Sequence, residues 1–214
     1  MPEHFEMFNQ FITKFVEFTE AELVDLNNKC TKVAFSKGSI IMKAGDVQKN
    51  LFFITKGIIR NYVENNKGEI KIYNFRSESM TVTGYALYNY EEKFKALVNV
   101  ECLEDCVMIQ VPLDVINYVI NHMKLGDRLG RYMAEAHVVQ MLHYVIQRDT
   151  KTIIERLESI DKNFPNIHQR VPQYMIGVSF SLHEVIINTN SRLKIEMFFI
   201  LLIYILIRHY KIFI

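Results

Sequence analysis

Seven histidines and three cysteines are the side chains of this chain with the widest chemical reach, as metal ligands, general bases or nucleophiles. Their spacing forms no site. Cys30, Cys102 and Cys106 are an odd set without zinc-type spacing, and no histidine lies between His4 and His122. A metalloenzyme built on that stretch would need several imidazoles projecting from neighbouring strands. His122, His137, His143 and His168 fall on expected helices or connectors, again without ligand spacing. No phosphate-cradling glycine loop and no nucleophile elbow occurs. We therefore expect no catalytic residue, no metal and no cofactor. Cys102 and Cys106 flank a turn, where they could act as a redox pair or be two half-buried thiols. What remains is the chemistry of recognition.

The elements that would position such chemistry are legible. Gly38, Gly45, Gly57 and Gly68 punctuate short apolar strands from about residue 31 to 111, the signal of a small barrel or jelly roll, and each marks a turn that needs positive φ. Phe5, Phe8, Phe11, Ile12 and Phe15 have helical spacing, as do Leu23 and Leu26, and Thr19 with Glu22 forms a capping box for the second of these helices. Pro112 stands where a further helix would begin. Leu125, Leu129, Tyr132, Ala136, Val139, His143 and Ile146 then recur at spacings of 4-3-4-3-4-3, a heptad seam that packs either on a copy of itself or on its own roll. His143 there is a pH sensor or a tolerated polar break. Another helix is expected from Thr150 to Asn163, stopped by Phe164-Pro165, and Pro172 sets up one more over Gln173-Tyr174-Met175-Ile176-Gly177.

Composition bounds the class. The chain has 214 residues, half of them apolar, and a net charge of +1, which suits a folded soluble protein and forecasts no polyanionic partner for the whole chain. After residue 165, however, Arg170, Arg192, Lys194, Arg208 and Lys211 face only Glu184 and Glu196. The thiols and the polar start at Met1-Pro2-Glu3-His4 point to the cytoplasm. From Met197 to Ile207 runs an unbroken apolar stretch of eleven residues. A membrane helix needs about 20, and Arg208, His209 and Lys211 interrupt any extension, so a buried or partner-covered segment is expected, with no membrane contact.

The phrases "KGSIIMKAGD", "LFFITKGIIRNY" and "NKGEI" resemble the cyclic-nucleotide-binding roll of the Crp-Fnr superfamily of bacterial transcription regulators. "ALVNVECLEDCVMIQVP" is similar to the strand pair leading into that family's dimer helix, and "NFPNIHQRVPQYMIG" resembles the approach to its helix-turn-helix in a short form. The resemblance implies an α+β fold: an N-terminal double-stranded β-roll (jelly-roll-like), a long dimerisation helix and a C-terminal helical helix-turn-helix module. The expected boundaries are 1–111 for the N-terminal helices and roll, 112–148 for the dimerisation region, 149–194 for a degenerate DNA-binding module, and 195–214 for the apolar tail. It also implies a homodimer whose partner is promoter DNA, with a possible small-molecule effector. The family's iron–sulfur sensors need an N-terminal cysteine cluster, and only Cys30 lies near.

Departures from the family pattern are informative. Cyclic-nucleotide binders in it hold ribose with a Glu and the phosphate with an Arg of an Arg-Ser/Thr-Ala cassette. Here Ala96-Leu97-Val98 falls at the cassette and Tyr85, after Gly84, at the Glu. A buried phosphate without a cation is costly, so no response to cyclic AMP or cyclic GMP is expected. Tyr73, Phe75, Gly84, Tyr85, Ala96, Leu97 and Tyr132 line a more apolar pocket or simply fill the roll. At the DNA-reading end, Ser191-Arg192-Leu193-Lys194 resembles the close of the family's recognition helix if about three extra residues are allowed. Without them Asn188 and Thr189 take those places. Asn188 and Arg192, at i,i+4, are the expected base readers, Asn190 and Ser191 lie beside them, and Arg170 and Lys194 are expected on phosphates. The alternative is a dimeric sensor that has lost DNA binding.

Overall fold

The computed structural model describes residues 3–83 and 95–179. Helices α1 (Glu3–Ile12) and α2 (Glu20–Lys29) precede eight strands: β1 (Thr31–Phe35), β2 (Ile40–Met42), β3 (Asn50–Lys56), β4 (Ile59–Glu64), β5 (Ile70–Arg76), β6 (Thr81–Val82), β7 (Asn99–Cys102) and β8 (Cys106–Pro112). Helices α3 (Leu113–His122), α4 (Gly126–Thr150), α5 (Ile153–Asn163), α6 (Ile167–Arg170) and α7 (Gln173–Ser179) come after them. The strands make two antiparallel sheets, in the orders β1-β8-β3-β6 and β2-β7-β4-β5. This is the expected roll.

Alternation along β3 shows how the roll is filled. Phe52 and Ile54 point between the sheets, where they meet Val100, Cys102 and Met108. Leu51 and Phe53 point outward, yet they are buried too, because α1 covers them. The Phe53 ring lies 5.5 Å from that of Phe8 and 5.0 Å from that of Phe11. A strand buried on both faces loses its polar alternation, which is why Leu51 to Ile54 reads as a continuous apolar run. The same outer core receives Val115 and Val119 of α3 and Leu129 of α4.

A third core forms on the outer face of the other sheet. Tyr62, Ile72 and Phe75 pack there against Leu157 of α5, Ile167 of α6 and Ile176 of α7. The C-terminal helices are thus docked onto the roll.

The local signals hold. Gly38, Gly45, Gly57 and Gly68 all have positive φ. Gly57 is doubly required, because a Cβ there would sit 2.5 Å from the Cys106 sulfur. The Thr19–Glu22 capping box is present, and a second, Thr152–Glu155, opens α5 a few residues later than the spacing predicted. Pro112 caps α3.

Candidate functional site

β5 is the last strand of its sheet, so its outer backbone edge is unpaired and consecutive side chains can reach the space beside it. That space is a cavity of about 1140 Å³ between β5, α4, α5 and the end of α7. Tyr73, Asn74, Phe75 and Arg76 line it from the strand, and Leu97 and Val98 from the segment before β7. Ala136, Val139 and His143 of α4 and Arg156 and Ile160 of α5 close the far side. The roll side is mainly apolar and aromatic, whereas α4 and α5 add polar and charged side chains such as Gln140, Gln147, Glu158 and Lys162.

Arg76 is the buried charge of the lining. It is 7% exposed, it lines the cavity, and no carboxylate among the described residues pairs with it. His137, half-buried on α4, feels its charge. Burial first, and the Arg76 guanidinium second, hold that imidazole below its ordinary pKa.

The expected pocket residues divide. Tyr73, Phe75 and Leu97 do line the cavity. Ala96 does not: it is buried in the roll beside Val98, its N–H donating to the Asp46 carbonyl and its carbonyl accepting from the Gly45 N–H. Tyr132 is also displaced. It packs with the outer core under α1 because the first turns of α4 lie against the chain's own N-terminal helices. Gly84 and Tyr85 lie outside the described residues.

The seam on α4 likewise splits in two. Leu129 is buried, and Leu125 and Tyr132 partly so, on the outer core. Ala136, Val139 and His143 border the cavity, and Ile146 is exposed. Val139 is 52% exposed and Ile146 47%, and Val138, Leu142 and Val145 beside them are exposed too, so the second half of α4 carries a broad apolar face that nothing in the described residues covers. Residues 138, 142 and 145 keep the same 4-3 spacing one position over.

Of the expected DNA contacts, only Arg170 lies within the described residues; Asn188, Asn190, Ser191, Arg192 and Lys194, together with the tail from 195, do not. Arg170 is not presented to a phosphate here. Its guanidinium donates to Glu78 at 2.7 and 3.1 Å and to Glu104 at 3.2 Å through Nε, with a further contact from Nη2 to Glu104. These hydrogen bonds raise its pKa, those to Glu104 contributing most. Burial alone would raise the Glu78 pKa, but the hydrogen bonds from Arg170 and from the Gly57 N–H outweigh it, so Glu78 ionises below its ordinary range. Together they form a clamp between α6 and the roll.

Cys102 and Cys106 come together inside the roll, both fully buried. Their mutual hydrogen bond, with burial, pushes the Cys102 thiol up, and burial pushes Cys30 up to about 12. The same hydrogen bond lowers Cys106, but all three thiols are buried away from solvent, where they pack as small apolar groups. Among the described residues no group of three His, Cys, Asp or Glu is placed to hold a metal ion, and no helix is long and apolar enough to cross a membrane.

Sequence reasoning passed over Arg76, Glu78 and Glu104. Arg76 left no signal in simple alternation: the register shift between β4 and β5 puts Phe75 on the face of Ile72 and pairs Arg76 with Ile59, whose side chain packs inside the roll.

Residues 32–122 match the family model of the cyclic nucleotide-binding domain. The chain is 25% identical over 159 residues to the HTH-type transcriptional regulator ArcR of Staphylococcus epidermidis, covering 72% of this chain and 66% of that one. Residues 32–122 are thus similar to a cyclic nucleotide-binding domain, and the chain as a whole is similar to transcription regulators. It is also 28% identical over 117 residues to the anaerobic regulatory protein of Pasteurella multocida, covering 54% and 41% of the two. It therefore spans about two fifths to two thirds of the length of these curated relatives. Its fold is shared with a cyclic nucleotide-binding domain from Methylobacillus flagellatus, at a TM-score of 0.60 and 15% identity over 71% of this chain and 85% of that one.

Proposed function

We propose that this protein is a homodimeric, DNA-binding transcription regulator of the Crp-Fnr type whose roll does not answer to cyclic AMP or cyclic GMP. The observation that carries the reading is the division of labour along α4. Its first turns are buried on the roll, its last turns carry the exposed stripe Val138, Leu142 and Val145, and α5 to α7 come directly after it. A helix rooted in a sensor at one end and bearing an uncovered apolar stripe at the other is built to join two copies and to set the direction of the C-terminal helices. Two recognition helices would then be set about 34 Å apart on DNA. A partner of that kind puts the protein in the cytoplasm. The absence of the phosphate-binding Arg at Ala96-Leu97-Val98 supports the claim about cyclic nucleotides.

Fluorescence anisotropy on promoter fragments, including the gene's own upstream region, tests the reading. We expect saturable binding that favours one fragment and falls steeply with salt, because phosphate contacts release counterions. Calorimetry with cyclic AMP and cyclic GMP is expected to show no micromolar binding. A second reading, a dimeric sensor without DNA binding, draws on the commitment of Arg170 to Glu78 and Glu104. Weak, equal binding to every fragment by a folded dimer would favour it.

A further inference from the structure

We propose that the cavity beside β5 takes an amphipathic monocarboxylate, its carboxylate held by Arg76 and its apolar body lying along Tyr73, Leu97 and Val139. This deepens the effector side of the proposed function and rests on the same pocket.

Three observations carry it. First, Arg76 is a buried guanidinium in a cavity wall without a carboxylate partner among the described residues. An uncompensated buried charge is costly, and an anion entering the cavity would remove that cost. The guanidinium fork matches a planar carboxylate with two parallel hydrogen bonds.

Secondly, among the described residues Arg76 is the one charged side chain of the lining that is buried. His137 on α4, which feels its charge, is held toward its neutral form. The other charged groups on the walls are the exposed Lys151, Glu155, Glu158 and Lys162 and the partly buried Arg156, all from the α4–α5 side.

Thirdly, Val63, Tyr73, Phe75, Leu97, Val98 and Val139 give the cavity an apolar stretch along which a carbon chain or ring can lie. About 1140 Å³ is ample for a medium-chain or aromatic acid.

The test uses the full-length protein and the fluorescent amphipathic anion 1-anilinonaphthalene-8-sulfonate, displaced by decanoate or by decanamide. The two competitors differ only in charge at the head. Decanoate is expected to displace the dye at about tenfold lower concentration than decanamide, the factor for one charge-assisted hydrogen-bonding pair. Arg76→Gln should abolish that preference, whereas Arg76→Lys should keep most of it. Equal displacement by acid and amide in the wild-type protein would overturn the proposal without any variant, even if Arg76→Gln fails to fold. A preference that survives in folded Arg76→Gln would overturn it as well, by placing the anion elsewhere. Promoter anisotropy on the same samples separates the two ideas. A carboxylate preference without DNA binding removes the regulator and keeps the site; DNA binding without the preference does the reverse.

Discussion

Arg170 shows how a single side chain changes meaning between sequence and structure. In a basic C-terminal stretch it reads as a phosphate contact, but Glu78 and Glu104 converge on it from two separate turns of the roll. Such a contact links the C-terminal helices to the sensor, and its strength depends on the charge on Glu78. The folded-state pKa of Glu78 lies below its unfolded value of about 4.3, so the unfolded chain binds more protons in acid. The stabilisation is fully present above the unfolded value and is lost as pH falls through the lower, folded one. We expect Glu78→Gln to remove that pH dependence and to make the α6–α7 segment more open to limited proteolysis at neutral pH. A proteolysis series from pH 7 to pH 3 on both proteins checks it, and identical profiles would show the clamp to be inert.

At the scale of elements, the ladder between β4 and β7 holds a second polar contact that the apolar reading of the roll did not foresee. Arg60 and Glu101 are cross-strand partners, joined at 2.7 Å, with side chains only 9% and 19% exposed. The guanidinium also stacks over the Tyr62 ring at 4.5 Å. Removing one member of a buried pair strands the other, at a cost of about 3–5 kcal/mol. Glu101→Ala should therefore lower the stability of the roll by that order in urea unfolding, and Glu101→Gln by less, because an amide still accepts a hydrogen bond. The capping box at Thr19 and the glycine turns were legible because each is settled between neighbouring residues. The Arg60–Glu101 pair was not, since it spans 41 positions in sequence and depends on register.

At the scale of the molecule, three cores tie the N-terminal helices, the roll and the C-terminal helices into one body, and nothing among the described residues covers an apolar face of α4 centred on Leu142. If that face is the dimer seam, a charge at its centre should part the subunits and spare the fold. Leu142, 55% exposed, has little to lose in the isolated chain. Leu142→Asp is expected to sediment as a monomer with a near-native circular dichroism spectrum and to lose promoter binding. A variant that remains a dimer would move the seam elsewhere on the protein. Charging Val139 instead should perturb the cavity, since that residue faces the roll side of the same helix.

The sequence by itself determined the class of fold, the order of its elements and most of their punctuation. Glycine turns, capping residues and apolar periods act over a few residues, where chain neighbours settle the outcome. Only the tertiary structure decided which side of α4 meets the roll and which is left uncovered. A 3.5-residue period defines a stripe but not what lies opposite it, and here the outer core under α1 takes its first residues, Leu125, Leu129 and Tyr132, and leaves Val139 and Ile146 exposed. Only the tertiary structure, too, brought Glu78 and Glu104 to Arg170 and left Arg76 in a cavity wall, because a charge is defined by what surrounds it and its surroundings come from distant parts of the chain.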